Sequence, residues 1–234
     1  MEYEFSRTEN LIGKDALLKI KKSHIAVFGL GGVGGYTVEA LARSGVENID
    51  IIDNDTISIT NINRQLIALH STIGKYKTEV FKERLLDINP NINVQTFNIL
   101  YLPKTAHLFD FSKYDYIVDA IDNVTGKIQL VTEAHKHNTP IISSMGTGNK
   151  TNPQKFEITD IYKTSVCPLA KVMRYELKKR DIKKLNVLYS KEAPIKDKEN
   201  ATRTPASIAY VPSVAGLLIA GKVIDDIIKK TAEN

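Results

Sequence analysis

Short apolar runs rich in β-formers alternate along this chain with longer stretches whose apolar residues recur every three or four positions. The first periodicity suits buried strands and the second suits helices with one covered face. Leu11 to Lys21, with Leu11, Leu17, Leu18 and Ile20, predicts an N-terminal helix lying outside the main sheet. Ile25-Ala26-Val27-Phe28 predicts a buried strand, Tyr36 to Ser44 a helix, and Asn48 to Ile52 a second strand. Helix Lys75 to Asp87, strand Asn93 to Phe97, strand Tyr116 to Ala120, helix Lys127 to His137 and strand Pro140 to Ser143 continue the alternation. Lys155 to Ile158 alternates and reads as a partly exposed strand; Leu169 to Lys179 and Ser213 to Lys229 read as helices. Repeated strand–helix–strand units predict an α/β fold, a doubly wound, mostly parallel sheet with helices on both faces.

Composition narrows this picture little. The 234 residues are 42% hydrophobic and 25% charged, ordinary for a globular chain, with no internal repeat or low-complexity tract. The length is compatible with a single domain over 1–234, carrying residues 1–22 as a helical extension. A single cysteine, Cys167, excludes a disulfide scaffold and a cysteine-built zinc site. The N-terminus has no basic stretch followed by an apolar run, which argues against a secretory signal and for a cytoplasmic protein. The longest apolar stretch, Ile208 to Ala220, contains Pro212 and falls short of the ~20 residues that cross a bilayer, so no stable membrane insertion is expected. Residues 191–205 are charged and nearly without large apolar side chains, and read as a mobile surface loop. The net charge of +5 is compatible with a polyanionic partner without identifying one.

The candidate chemistry begins at Gly29-Leu30-Gly31-Gly32-Val33-Gly34. It lies between the first strand and the following helix, where a Rossmann-like fold places phosphates on a helix N-terminus. Gly29 suits the tight turn, Gly31 a close backbone approach with Gly32 adding freedom beside it, and Gly34 close helix–strand packing. Asp53 ends the second strand 19 positions after Gly34, where a carboxylate can accept ribose hydroxyls. That much also suits a nicotinamide dehydrogenase. The next segments do not: Arg64 in Asn61-Ile62-Asn63-Arg64-Gln65, Lys77 soon after, and Asp122 in Ala120-Ile121-Asp122-Asn123 all follow strand ends. Strand ends gather on one sheet edge, so these side chains can meet there. An arginine and a lysine neutralise a triphosphate, and a carboxylate can hold Mg2+.

Together with Asp53-Asn54-Asp55 and Gly74-Lys75-Tyr76-Lys77, these motifs resemble the ubiquitin-activating-type adenylation family, over about residues 5–230. Within it, Phe5-Ser6-Arg7-Thr8-Glu9, Asp160-Ile161-Tyr162-Lys163-Thr164 and Cys167-Pro168-Leu169-Ala170 resemble the tRNA threonylcarbamoyladenosine dehydratases. The chain departs from the related sulfur-carrier adenylyltransferases. It lacks the two Cys-x-x-Cys pairs, and Cys167, just before Pro168, reads as a packing residue and not a thioester nucleophile.

The resemblance implies ATP and Mg2+ as cofactors, a tRNA bearing threonylcarbamoyladenosine as substrate, a homodimer, and a possible sulfur-relay or carrier-protein partner. It implies nucleotide contacts from Gly29, Gly31, Gly32, Gly34, Asp53, Asp55, Asn61, Arg64, Lys77, Asp122 and Asn123. Arg64 would sit on the outer phosphates, from this chain or its partner subunit, Lys77 on the developing charge, and Asp122 on the metal. Three other readings stay open on the residues alone. They are an adenylyltransferase for the C-terminus of a ubiquitin-like sulfur carrier, a non-catalytic nucleotide-binding module, and a dehydrogenase. Lys178-Lys179-Arg180 with Lys183-Lys184, and Lys191 to Arg203, are candidate phosphate patches, and Arg203 to Ser207 is expected near the site.

Overall fold

The structure is a computed structural model that describes residues 2–195 and 205–229. Most of the charged loop expected at 191–205, including Arg203 and Thr204, therefore lies outside the described residues. Two short helices, α1 (Ser6–Ile12) and α2 (Lys14–Lys22), precede the sheet. Then follow β1 (His24–Phe28), α3 (Gly34–Arg43), β2 (Asn48–Ile52), α4 (Lys77–Ile88), β3 (Asn93–Phe97), β4 (Tyr116–Asp119), α5 (Val124–Lys136) and β5 (Ile141–Ser144). The remainder is β6 (Phe156–Asp160), α6 (Pro168–Lys178), β7 (Asn186–Ser190) and α7 (Tyr210–Lys229). The seven strands lie in the order β3-β2-β1-β4-β5-β7-β6, all parallel except β6, which runs antiparallel to β7 at the edge.

Both faces of this sheet are covered, which explains why β1 reads as a continuous apolar run. Ile25 and Val27 face a core built with Val38, Leu41, Phe81, Leu85, Ile219 and Val223 of α3, α4 and α7. Ala26 and Phe28 face the opposite side, against Ile117, Leu130 and a cluster of Tyr101, Phe109 and Phe111. α6 closes that second side further along, where Met173 and Leu177 meet Val187 and Tyr189 of β7. Each such fully buried side chain contributes ~1.5–3 kcal/mol.

Two features differ from the sequence expectation. The single N-terminal helix is two helices, broken at Gly13, whose φ of 85° and ψ of 156° are closed to ordinary side chains in a helix. β7 lies outside the sequence expectation: Val187-Leu188-Tyr189 is an apolar run of only three residues between Asn186 and Ser190, too short to show a periodicity. The helical extension does lie outside the sheet. Its Leu17 and Phe5 pack beneath Gly45, where an added Cβ would come 2.8 Å from Leu17. No helix among the described residues is long and apolar enough to cross a membrane.

Candidate active site

Parallel pairing sets Phe28 level with Ile52 of β2 and with Asp119 of β4. One residue further on, the same ladder holds the loops. The Gly29 N–H donates to the Ile52 carbonyl at 2.8 Å, and the Ala120 N–H donates to the Phe28 carbonyl at 2.8 Å. Gly29 turns with φ of 90°, and a Cβ there would lie 2.6 Å from the Ala120 carbonyl oxygen. A Cβ at Gly34 would lie 1.8 Å from the Gly29 oxygen, so α3 starts flush against the end of β1. Gly32 is covered by Pro212 at 3.1 Å and by the Arg64 carbonyl at 3.4 Å, whereas Gly31 has only the Gln65 amide nitrogen, 4.0 Å away. Gly29 and Gly34 are thus required by the fold, and Gly31 borders open space. At the start of α3 the Gly35 N–H donates to the Gly31 carbonyl and the Thr37 N–H to the Val33 carbonyl, each at 3.0 Å, which leaves the Gly34 and Tyr36 N–H groups without backbone partners among the described residues.

Asp53 buttresses this loop. One carboxylate oxygen accepts from the Leu30 N–H at 2.7 Å and the other from the Asp55 N–H at 2.8 Å. Lys77, the first residue of α4, has only 5% of its side chain exposed, and its Nζ lies 2.7 Å from Asp55 and 3.5 Å from Asp53. A backbone ladder clamps the two segments, with Lys77 N–H to the Asp55 carbonyl at 3.1 Å and Ile57 N–H to the Lys75 carbonyl at 2.9 Å. Lys77 is therefore a buried ammonium shared by two carboxylates at the glycine loop. Arg64 stands at the glycine loop of its own chain, its Nη1 donating to the Thr60 carbonyl at 2.9 Å and Asn63 Oδ1 at 3.0 Å. It pairs with no carboxylate among the described residues, which leaves its charge free for an anion.

On the other flank, Asp119 and Lys127 form a fully buried ion pair at 3.0 Å. Lys127 Nζ also donates to the Ile121 carbonyl at 3.0 Å, the Ile121 N–H donates to Asp119 at 3.2 Å, and the Ser143 hydroxyl donates to the other Asp119 oxygen. This network fixes the turn at Ala120-Ile121 that touches Gly29, and it presents Asp122 at the surface beside the loop. Asp122 is exposed and engages no cation among the described residues. A third wall is the segment Pro205 to Ser207. Asn63 donates to the Ser207 carbonyl at 3.0 Å, and Asn149 exchanges hydrogen bonds with Ala206 at 2.7 and 2.8 Å.

The chain matches the ThiF family over residues 5–234. It belongs to the ThiF family. It is 45% identical, over 98% of its length and 96% of the relative's, to a Bacillus subtilis protein named tRNA threonylcarbamoyladenosine dehydratase. It is 37% identical to the Escherichia coli protein of the same name over 74% of this chain and 65% of that one. The solved structure of the E. coli dehydratase TcdA in complex with ATP superposes with a TM-score of 0.92 and 30% identity, covering 99% of this chain and 96% of that one. A Haemophilus influenzae molybdopterin-synthase adenylyltransferase is 35% identical over 55% of this chain and 53% of its own.

In this ThiF-family chain, hydrogen bonds tie together the glycine loop, Asp53, Asp55 and Lys77, and close packing joins them to Arg64 and the Ala120-Ile121 turn. Two predicted ligands have side chains already engaged in local structure. Asn61 Oδ1 accepts from the Ser58 N–H at 3.1 Å, and Asn123 Oδ1 accepts from the Gly126 N–H at 3.0 Å as the N-cap of α5. Cys167 is buried against Met173 and Leu177, the packing role expected of it. The motif reading passed over Lys127, Asp119 and Gln65. Gln65 is buried beside Gly31 with its Oε1, an acceptor, unpartnered among the described residues. Its place directly after Arg64 was the available signal.

Proposed function

We propose that this chain is an ATP-dependent tRNA threonylcarbamoyladenosine dehydratase, a single adenylation domain that cyclises the modification through an acyl-adenylate. The observation that carries this reading is identity of 45% across 98% of the chain to a relative of that name. It is supported by a site whose groups suit the chemistry. The threonyl carboxylate attacks the α-phosphorus of ATP, the bond to the β-phosphate oxygen breaks, and pyrophosphate leaves. Two anions must approach, so cations have to offset their repulsion. Arg64 takes the outer phosphates, Lys77 turns from its carboxylates toward the reacting phosphate, and the leading N–H groups of α3 orient the chain at Gly31 and Gly32. Asp53 and Asp55 border the ribose side, where the unpartnered Gln65 Oε1 can accept from a hydroxyl.

The carbamoyl group then attacks the activated carbonyl, its proton is lost, and AMP departs with one former carboxylate oxygen. The substrate is left one water lighter. Both reacting groups lie on one molecule, so no enzyme nucleophile is needed, and closures of this kind reach effective molarities of ~10⁵ M or more. Buried Cys167 accords with that route. Among the described residues no group of three or more His, Cys, Asp and Glu forms a metal cage. A lone exposed Asp122 beside the phosphate loop fits Mg2+ that arrives on the nucleotide, since that ion commonly takes one or two carboxylates plus phosphates and water. Bound there, it supplies charge neutralisation to the phosphates.

Incubation with ATP and tRNA carrying the linear modification tests the proposal: the nucleoside loses the mass of one water, and an unchanged mass rejects it. The adenylyltransferase match favours a second reading, activation of a sulfur carrier's C-terminus. Labelled pyrophosphate exchange that depends on a carrier protein and not on tRNA selects it. A homodimer acting in the cytoplasm, with a sulfur-relay partner, belongs to the same proposal, and light scattering that returns a monomer's mass removes the dimer from it.

A further inference from the structure

The charge of this chain is concentrated in one segment. Residues 162–184 hold eight lysines and arginines against two acids, a net of +6, while the whole chain nets +5, so the remainder carries −1. The segment is α6 with the loops on either side. Ala170, Met173 and Leu177 turn one face of α6 into the core. Lys171, Tyr175, Lys178 and Lys179, at helical positions i, i+4, i+7 and i+8, form the opposite face. Of the cations, Arg174 braces the loop through Thr164, Glu176 holds Lys179 and Arg180, and Asp181 lies 3.8 Å from Lys183. Lys163, Lys171, Lys178 and Lys184 are exposed with no acidic partner among the described residues.

An aromatic ring stands in the middle of these charges. Tyr175 is 62% exposed, more than any other aromatic ring among the described residues, and its neighbour above the ring is Lys179, at 4.0 Å. Apart from that cation–π contact, the ring is held out in water. Rings interleaved with unpaired lysines are how proteins hold single-stranded nucleic acid, with bases stacking and phosphates neutralised. The buried side of α6 packs on Met145 at the end of β5, and the loop after it runs down to the start of β7, where Lys184 lies beside Asn138 and Pro140, so the outer face reaches from one sheet edge to the other.

We propose that the outer face of α6 and the loop to β7 is a docking surface for unpaired nucleotides of tRNA. Tyr175 provides the stacking platform and Lys171, Lys178 and Lys184 the phosphate contacts. The inference rests on the dehydratase reading and adds a surface outside the adenylating site.

The test is fluorescence anisotropy of labelled tRNA across a salt series, with wild type, Tyr175→Ala, Tyr175→Phe and the pair Lys171→Glu/Lys178→Glu. Tyr175→Ala weakens tRNA binding roughly 10-fold while Tyr175→Phe, which keeps the ring, stays near wild type. The charge-reversal pair lowers the slope of log affinity against log salt by about 1.4, at ~0.7 per phosphate. ATP affinity is unchanged in all variants. Equal affinities and slopes across variants, in a wild type that still dehydrates tRNA, overturn the surface and leave the function standing. A wild type that neither binds nor dehydrates tRNA overturns both. Dissociation of an oligomer by the charge-reversal pair, seen by light scattering, assigns the face to a second copy and overturns the proposal too.

Discussion

Replacing Lys127 with methionine isolates the buried pair that shapes the Asp122 turn. Both partners are 0% exposed, with Nζ 3.0 Å from the Asp119 carboxylate. The substitution keeps the length of the side chain and removes the ammonium, leaving Asp119 ionised in the core with only the Ser143 hydroxyl and the Ile121 N–H as donors. Breaking a buried pair in this way costs about 3–5 kcal/mol, because the surviving charge is stranded. For a chain of this size each kcal/mol moves the melting temperature by about 2–4 °C, so a fall of roughly 6–20 °C is expected. Adding Asp119→Asn removes the stranded charge, and the double variant recovers more than half of the lost stability in urea unfolding. Adenylation is not restored with it, since the Ile121 carbonyl has lost its donor in both variants and the turn carrying Asp122 is loosened. A single variant within 1 kcal/mol of wild type, or a double variant no more stable than the sum of the singles, refutes this reasoning.

Other outcomes follow from the same geometry. Gly34→Ala does not give a folded, ATP-binding protein, because its Cβ would lie 1.8 Å from the Gly29 oxygen; Gly31→Ala, with nothing nearer than 4.0 Å, melts like wild type yet binds ATP more weakly by calorimetry. Lys77→Ala leaves Asp53 and Asp55 facing each other, and pyrophosphate exchange drops by roughly 10²–10³-fold. Asp122→Asn, at an exposed position, changes stability by less than about 0.5 kcal/mol but slows pyrophosphate release and raises the Mg2+ needed for it. His24 gives a pH test. The hydrogen bond its Nε2 donates to the Asp50 carboxylate raises its pKa above the ordinary 6.5, against the lowering effect of burial. A raised folded-state pKa means stabilisation that is whole below pH 6.5 and is lost as pH climbs through the folded value, so wild type and His24→Gln converge in urea stability above pH 6.5. Parallel pH profiles for the two proteins would contradict it.

The parts of this fold legible in the sequence are those where one residue type has one reason to be present. Strands β1 to β5 are short runs rich in β-formers separated by helical stretches, and the gathering of their ends on one edge follows from that alternation, whereas their order in the sheet does not. The split at Gly13 was obscured because the apolar periodicity continues through it, whereas the break lies in the backbone angle. β7 was obscured because Val187 to Tyr189 is too short to show a periodicity. Of the expected site residues, the glycines and Asp53 are recognisable by spacing, and Arg64 and Lys77 by their place after a strand end and in motifs that resemble the family's. The long-range pairings are not: that Lys127 reaches back to Asp119, or that Asp53 spends an oxygen on the Leu30 N–H, depends on which loops the sheet brings together. Asn61 and Asn123 show the converse, since an asparagine beside a helix start caps it as readily as it binds a ligand.

The packing of α7 on the glycine loop makes one end of the molecule answer for the other. Gly216 sits so close to α3 that a Cβ would lie 2.3 Å from the Val33 oxygen, Thr37 donates to the Gly216 carbonyl at 3.1 Å, and Pro212 covers Gly32. The glycine loop thus takes its cover from a helix about 180 residues further along the chain. Removing α7 would bare the apolar side of α3 to water and uncover Gly32, so the loop's shape depends on a distant segment closing over it.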